Sequence, residues 1–307
     1  MKSEFPNPND NTELHKKIEP SSVGSRADLK AGVDIAKVYG GYFSDPEVAQ
    51  QFVDFGIKDI VNQLPKEIRL ADFGGGKGFL TKIVSDYLKS QNHDINAFIV
   101  DANQTFLQEA KKEGLQTYEC NLENCEFENA DIITMRAVNH YNPLEKQLEI
   151  LKSARESLKE GGFLISQISS GSRENCMLRS EIINLKSLGR AAEGESYHWT
   201  SVDEYSGLLK KTGFKNIEVV GFAKDCKWSP EEQWDRFHSK ETQEAVESGN
   251  TEKIKVIENH KETFLREAYA LINDYYTKYS EDILGVKFDD DGKAIINYKY
   301  PIIRCQK

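Results

Sequence analysis

Asp72, Gly74, Gly76, Gly78 and Asp101 are the residues of this 307-residue chain whose types and spacing point most directly to chemistry. The glycines lie in the run Leu70-Ala-Asp-Phe-Gly-Gly-Gly-Lys-Gly-Phe-Leu80, which reads as a buried strand, a glycine turn and the start of a helix. Glycine lets backbone pass close to a ligand and adopt dihedrals that a Cβ forbids. The run Phe98-Ile-Val-Asp101 reads as the next strand, ending in a carboxylate that can accept two hydrogen bonds from a ribose diol. Together they predict a nucleoside-containing ligand. A dinucleotide turn needs G-x-G-x-x-G, but the third position here is Phe79, whose ring would hold helix and strand apart. A phosphate loop needs Ser or Thr after its lysine, and Lys77 is followed by Gly78. Asp72 beside the turn would repel a pyrophosphate, yet suits a ligand that carries an ammonium and a sulfonium.

Further runs follow in order: Cys120-Asn-Leu122, Ala130-Asp-Ile-Ile-Thr-Met-Arg136 and Leu158-Lys-Glu-Gly-Gly-Phe-Leu-Ile165. With the acidic residue before G-x-G-x-G and with Asp101, this ordered set resembles the class I S-adenosylmethionine-dependent methyltransferases, in their small-molecule branch. The resemblance implies an α/β fold: a Rossmann-like, seven-stranded, mostly parallel sheet with helices on both faces. N-terminal helices and a helical insert before the last strand would be added to it. The implied donor is S-adenosyl-L-methionine, leaving S-adenosyl-L-homocysteine as product. The implied cofactor contacts are Asp72, Gly74, Gly75, Gly76, Gly78, Asp101, Ala102, Asn121, Leu122 and Arg136. The glycines would pass under the methionine portion and ribose. Asp72 would help hold the amino-acid end through backbone or water, and Asp101 would take the ribose hydroxyls. Ala102 would leave room beside the adenine, and Leu122 would offer it a backbone N–H. Asn121 stands where many relatives carry Asp, and its side-chain carbonyl can still accept.

The segment Arg136-Ala-Val-Asn-His-Tyr-Asn-Pro143 should border the transferable methyl. It resembles an apolar-His-His segment of many small-molecule methyltransferases, with Tyr141 replacing the second histidine. His140 is the general-base candidate, because an imidazole titrates near neutrality; packing at the strand end is its competing role. Farther on, His198 and Trp199 in Glu195-Ser-Tyr-His-Trp199 could wall the acceptor, or Trp199 could staple the helix capped at Ser201. Tyr39 and Tyr42, in a flexible aromatic link, would close over the substrate or anchor the N-terminal segment. The text Asn139-His-Tyr-Asn-Pro143 departs from the Asn-Pro-Pro-aromatic run of the family's amino-methylating branch, and no histidine–carboxylate metal cluster is apparent. The expected reaction is in-line methyl transfer to an oxygen, nitrogen or carbon of a small organic metabolite. Two other readings stay open. One is a protein that binds the cofactor but runs a non-methylating reaction or serves as a binding partner; the other, a nicotinamide oxidoreductase, is opposed by Phe79.

Composition and elements must support this. A net charge of -10 argues against a broad basic track for nucleic acid, which favours a small-molecule acceptor. The cysteines at 120, 125, 176, 226 and 305 form no C-x-x-C and read as reduced thiols of a cytoplasmic protein. No apolar run approaches the ~20 residues of a membrane span. Residues 1–27, polar and Pro/Asn-rich, read as an arm, and 28–64 as a helical cap with one helix over 28–39 and another opening at Pro46. The apolar face of the second would be Val48, Phe52, Phe55, Ile60 and Val61. Residues 65–225 would be the cofactor-binding core, with strands at 69–73, 97–100, 116–119, 132–135, 163–167 and 214–222. Residues 226–293 form the insert, a lid or a homodimer contact, whose stripe Ile257, Phe264, Leu265, Ala268, Leu271, Ile272, Tyr275 and Tyr276 has helical spacing. Residues 294–307 carry the last strand.

Overall fold

The computed structural model describes residues 38–190 and 195–307. The arm expected over 1–27, most of the helix expected over 28–39, and the side chain of Tyr39 lie outside the described residues. Helix α1 (Pro46–Gly56) starts where Asp45 accepts the Glu47 N–H at 2.9 Å and Pro46 takes a first-turn position, whose N–H would be unsatisfied anyway. It ends earlier than the apolar pattern suggests. Ile60 and Val61 belong to a following 3-10 turn, Lys58–Gln63, and Phe55 lies on Gly221 at the surface.

Strands and helices then alternate: β1 (Glu67–Phe73), α2 (Phe79–Ser90), β2 (Asp94–Asp101), α3 (Gln104–Lys112), β3 (Gln116–Glu119), β4 (Ala130–Arg136), α4 (Leu144–Ser157) and β5 (Leu158–Gln167). After β5 come α5 (Arg173–Ile183), α6 (Val202–Lys211), β6 (Lys215–Trp228), α7 (Pro230–Glu247), α8 (Thr251–Tyr276), α9 (Glu281–Leu284), β7 (Val286–Phe288) and β8 (Ala294–Gln306). The sheet runs β3-β2-β1-β4-β5-β8-β6, and β7 adds a short eighth strand beside β8. The first five strands in that path are parallel to their neighbours, while β8 is antiparallel to both β5 and β6. The fold class expected from the sequence is the one observed, with β7 as its addition. Two large apolar cores cover the two faces. One joins α1, α2 and the α7–α8 pair; the other joins α4 and α6. A small third cluster, Ile99, Leu107 and Ala110, lies under α3.

The order reverses between β1 and β4, and in an open α/β sheet that switch point leaves a crevice outside the carboxyl ends of the strands. Everything after β1, β2, β3 and β4 in the motif runs falls at that edge.

Helix α8 buries Ile257, Phe264, Ala268, Ile272 and Tyr275 in the larger core, so the stripe expected at helical spacing does pack. Trp234 of α7 stacks on Phe264 at 5.7 Å and is 2% exposed. Strand β6 runs on to Trp228, longer than its sequence pattern suggested, because β8 pairs with it to Ile296. Among the described residues no helix is long and apolar enough to cross a membrane.

Candidate functional site

The glycine turn leaves β1 by handing the Gly74 N–H to the Val100 carbonyl of β2 at 2.7 Å. Its glycines do different work. Gly78, at φ +86°, lies against Ile99 and Leu115, where a Cβ would come within 2.4 and 2.5 Å of their methyls. Gly76, at φ +56°, is the open one: its Cβ would meet only the Phe106 ring, at 3.8 Å. Positive φ explains why each tolerates no ordinary residue, but only the space over Gly76 is a cradle that a Cβ would fill.

Asp101 fixes this turn from the end of β2. Its Oδ2 accepts the Gly76 N–H at 3.0 Å and its Oδ1 the Asn103 N–H at 2.8 Å. A carboxylate has about four acceptor positions, so roughly two remain for a ligand diol. Burial raises the Asp101 pKa above the usual carboxylate value, opposed by those N–H groups. Asp72 sits one layer down, 1% exposed, opposite Thr134 in the β1–β4 register. The hydroxyls of Thr81 and Thr134 donate to its two oxygens at 2.6 and 2.8 Å. Its pKa too is raised by burial, with the threonines and the Arg136 charge pulling it back. Asp72 therefore presents almost no surface of its own; its influence passes through Arg136 and the turn it braces. Arg136 donates from one terminal nitrogen to the Phe43 carbonyl at 2.7 Å, while its other terminal nitrogen is buried without a hydrogen-bond partner.

Beyond Arg136 the chain turns through Ala137, at φ +55°, into a 3-10 turn, Asn139–Tyr141. His140 is sandwiched there, its ring centroid 4.9 Å from Trp199 and 4.4 Å from Tyr141. Desolvation, then the charges of Arg179, Arg190 and Arg236, hold the imidazole well below its ordinary pKa, so it is neutral at physiological pH. For Asp101, Arg136 and His140 alike, desolvation dominates protonation, yet each keeps accessible surface. All three lie at the carboxyl edge of the sheet, from the end of β2 to the turn after β4, where the switch point leaves its crevice.

The remaining sequence candidates divide. Gly75 packs under the Asp72 carboxylate, with its would-be Cβ 2.8 Å from Oδ2. Ala102 follows Asp101 at the strand end, and Asn121 and Leu122 form the turn after β3, at the same edge of the sheet. Trp199 lies against His140, and its backbone N–H donates to the Ser180 hydroxyl at 2.9 Å. His198 turns to Glu204 at 3.1 Å, while the Ser201 hydroxyl accepts the Glu204 N–H and caps α6 as expected. Tyr42 is 6% exposed, stacked on Tyr300 at 4.7 Å and donating to the Lys224 carbonyl at 2.8 Å. The link that carries it, expected to be flexible, is a packed 3-10 turn, Val38–Ser44. All five cysteines are buried and unbridged, but Cys120 and Cys125, which the spacing left unrelated, meet side chain to side chain. Thr81, Thr134 and the three arginines around His140 escaped sequence reasoning. Thr134 had a signal, a lone hydroxyl between the apolar Ile133 and Met135; the arginines come from separate segments and had none.

A glycine turn at the switch point of a parallel sheet, tied to a carboxylate at the next strand end, defines a nucleoside-dependent α/β enzyme. The chain belongs to the O-methyltransferase domain family, whose model matches residues 57–215, more than half of its length. It is a methyltransferase, and the methyl donor of the family is S-adenosylmethionine. The open cradle at Gly76, the free acceptor capacity of Asp101 and the unpartnered Arg136 nitrogen fit a group with a ribose diol and a carboxylate. No curated protein matches the sequence. Among solved structures the fold is similar to a methyltransferase-like protein from Bacillus halodurans, with 14% identity over 84% of this chain and 98% of that one and a TM-score of 0.56. It is also similar to the YcgJ protein from Bacillus subtilis, at 14% identity, 85% and 97% coverage and a TM-score of 0.54. A third is phosphoethanolamine N-methyltransferase 2 from Haemonchus contortus in complex with S-adenosyl-L-methionine, at 17% identity, 93% and 60% coverage and a TM-score of 0.50. These likenesses establish the fold.

Proposed function

We propose that this methyltransferase acts on a hydroxyl of a small organic acceptor bound in the cleft beside His140. The observation that supports the reading is that Asp101, Arg136 and the stacked His140–Tyr141–Trp199 rings all lie at or just beyond the ends of β2 and β4, at the carboxyl edge of the sheet by its switch point. Aromatic rings beside the crevice suit a small molecule, and oxygen as the accepting atom follows the family's description.

In this reading Asp101 takes the ribose hydroxyls, and the Gly74–Gly78 turn lets the backbone pass beneath. Arg136 receives the amino-acid carboxylate with its unpartnered nitrogen. Ala102, Asn121 and Leu122 border the adenine. When bound, S-adenosylmethionine supplies a methyl group already activated on a sulfonium. The chain's tasks are then alignment, exclusion of water and proton removal. Neutral His140 has a free ring nitrogen to accept the acceptor's proton, and Trp199 and Tyr141 fix its plane. His198, turned to Glu204, supports the wall without facing the acceptor.

Residues 28–64, 65–225, 226–293 and 294–307 serve in this scheme as cap, core, helical insert and closing strand of one unit. Calorimetry with S-adenosylhomocysteine, followed by labelled-methyl transfer to a panel of phenols, alcohols and amines, tests the reading. Micromolar binding of the product and transfer to hydroxyl compounds are expected. Labelling of amines alone would contradict the hydroxyl assignment.

A further inference from the structure

His140 sits among cations in a chain whose net charge is -10. Arg179 of α5, Arg190 beyond it and Arg236 of α7 all act on its imidazole. Two of them are built into the same aromatic wall. The Arg179 guanidinium lies 5.2 Å from the centre of the Trp199 ring and 4.0 Å from that of Tyr298, and Arg190 lies 4.8 Å from Tyr197 and 5.8 Å from Tyr141.

Arg179 is 1% exposed, and no described carboxylate pairs with it. Its terminal nitrogens meet only the neutral side chains of Asn175 and Ser169, and its Nε has no partner. The Trp199 indole N–H is a second buried donor without an acceptor, and both polar atoms of the Asn142 amide are buried and unpartnered two residues from His140. A buried cation is strongly disfavoured unless something anionic compensates it, and ring faces do so only in part. Spare buried donors and the uncompensated Arg179 charge on one side of His140 have a common complement.

Resting on the functional reading above, we propose that the acceptor carries an oxyanion, a carboxylate or a phosphate ester, docked at the arginine-lined wall beside His140. Trp199 supplies an N–H donor, and Arg179, too buried to be reached directly, holds the anion through its field across the indole. The wall thereby selects acidic acceptors over neutral ones of the same shape. The anion also cancels the field that suppresses the basicity of His140, so the imidazole becomes a better proton acceptor only when the correct acceptor is in place.

The test is calorimetry on the full chain saturated with S-adenosylhomocysteine, titrated with benzoate, phenyl phosphate and the neutral benzyl alcohol. At least one anion should bind about tenfold or more tightly than the alcohol, and whichever does so names the oxyanion. Arg179→Gln should bring the ratio close to unity with S-adenosylhomocysteine affinity unchanged. Trp199→Phe, which keeps the ring and loses only the donor, should weaken the anion severalfold and serves if the arginine variant does not fold. Equal binding of alcohol and anions, or no binding of either anion, overturns the proposal while leaving the cofactor site intact. Failure of S-adenosylhomocysteine itself to bind would instead remove the reading on which it rests.

Discussion

Asp101 and His140 carry the two halves of the account, and each makes a prediction at its own scale. Asp101 holds the Gly76 N–H and is assigned the ribose, so Asp101→Ala should weaken S-adenosylhomocysteine binding by ~1.5–3 kcal/mol, the loss of a charge-assisted acceptor. Unchanged affinity in calorimetry would displace the ribose from β2. His140 predicts a pH dependence of stability. In the unfolded chain its imidazole takes up a proton near the ordinary value of 6.5, whereas the folded one resists until well below that. Its share of stability is therefore complete above that pH and is lost as pH falls through it, at about 1.4 kcal/mol per unit, until the folded imidazole itself titrates. His140→Gln should flatten that limb of urea-derived stability against pH. An equally steep limb in the variant would assign the acid sensitivity to other groups. Sequence reasoning singled out both residues by type and place. It could not see that Arg179, Arg190 and Arg236 surround His140, because those three come from segments brought together only by the packing of α5 and α7.

At the scale of elements, the glycine turn separates fold from function within four residues. Gly76→Ala places a Cβ in open space, so it should cost only the ~1–2 kcal/mol of a left-handed backbone while sharply reducing cofactor affinity. Gly78→Ala drives a methyl into Ile99 and Leu115 and should destabilise the whole protein by more than that. Thermal unfolding and calorimetry on the pair would show the contrast, and equal loss of stability in both would erase it. The inner parallel strands were easy to read because strands buried on both faces carry continuous apolar runs: β1, β2, β4 and β5 contain their expected limits, while β3, a half-exposed edge strand, matches its own without such a run. Helix starts were equally legible at Pro46 and Pro230, where cap and proline coincide. What escaped depended on partners distant in sequence. Strand β6 extends to Trp228 only because β8 is long enough to pair with it, and the short β7 exists only as a neighbour of β8. Helix α5 has a weak amphipathic pattern because it is buried on several sides, with Asn175, Arg179 and Ser180 among its buried residues.

At the scale of the whole molecule, the α7–α8 pair is part of the main core. Trp234→Ala should therefore cost ~3–5 kcal/mol in a single cooperative urea transition, the usual price of a large core truncation. A mild effect, or a separate early transition, would mark the pair as a detachable lid. The same larger core contains α1, the packed Tyr42 and strand β8, so cap, sheet and insert share one core, and the β1–β4 switch point leaves a crevice beyond the strand ends. The central claim is that this crevice holds the donor with its ribose at Asp101 and its sulfur toward His140. A crystal structure with S-adenosylhomocysteine tests that directly. The account predicts ribose hydroxyls within hydrogen-bonding distance of the Asp101 carboxylate and the sulfur facing the His140–Tyr141–Trp199 wall; a nucleoside bound away from Asp101, or a sulfur turned from that wall, would contradict it.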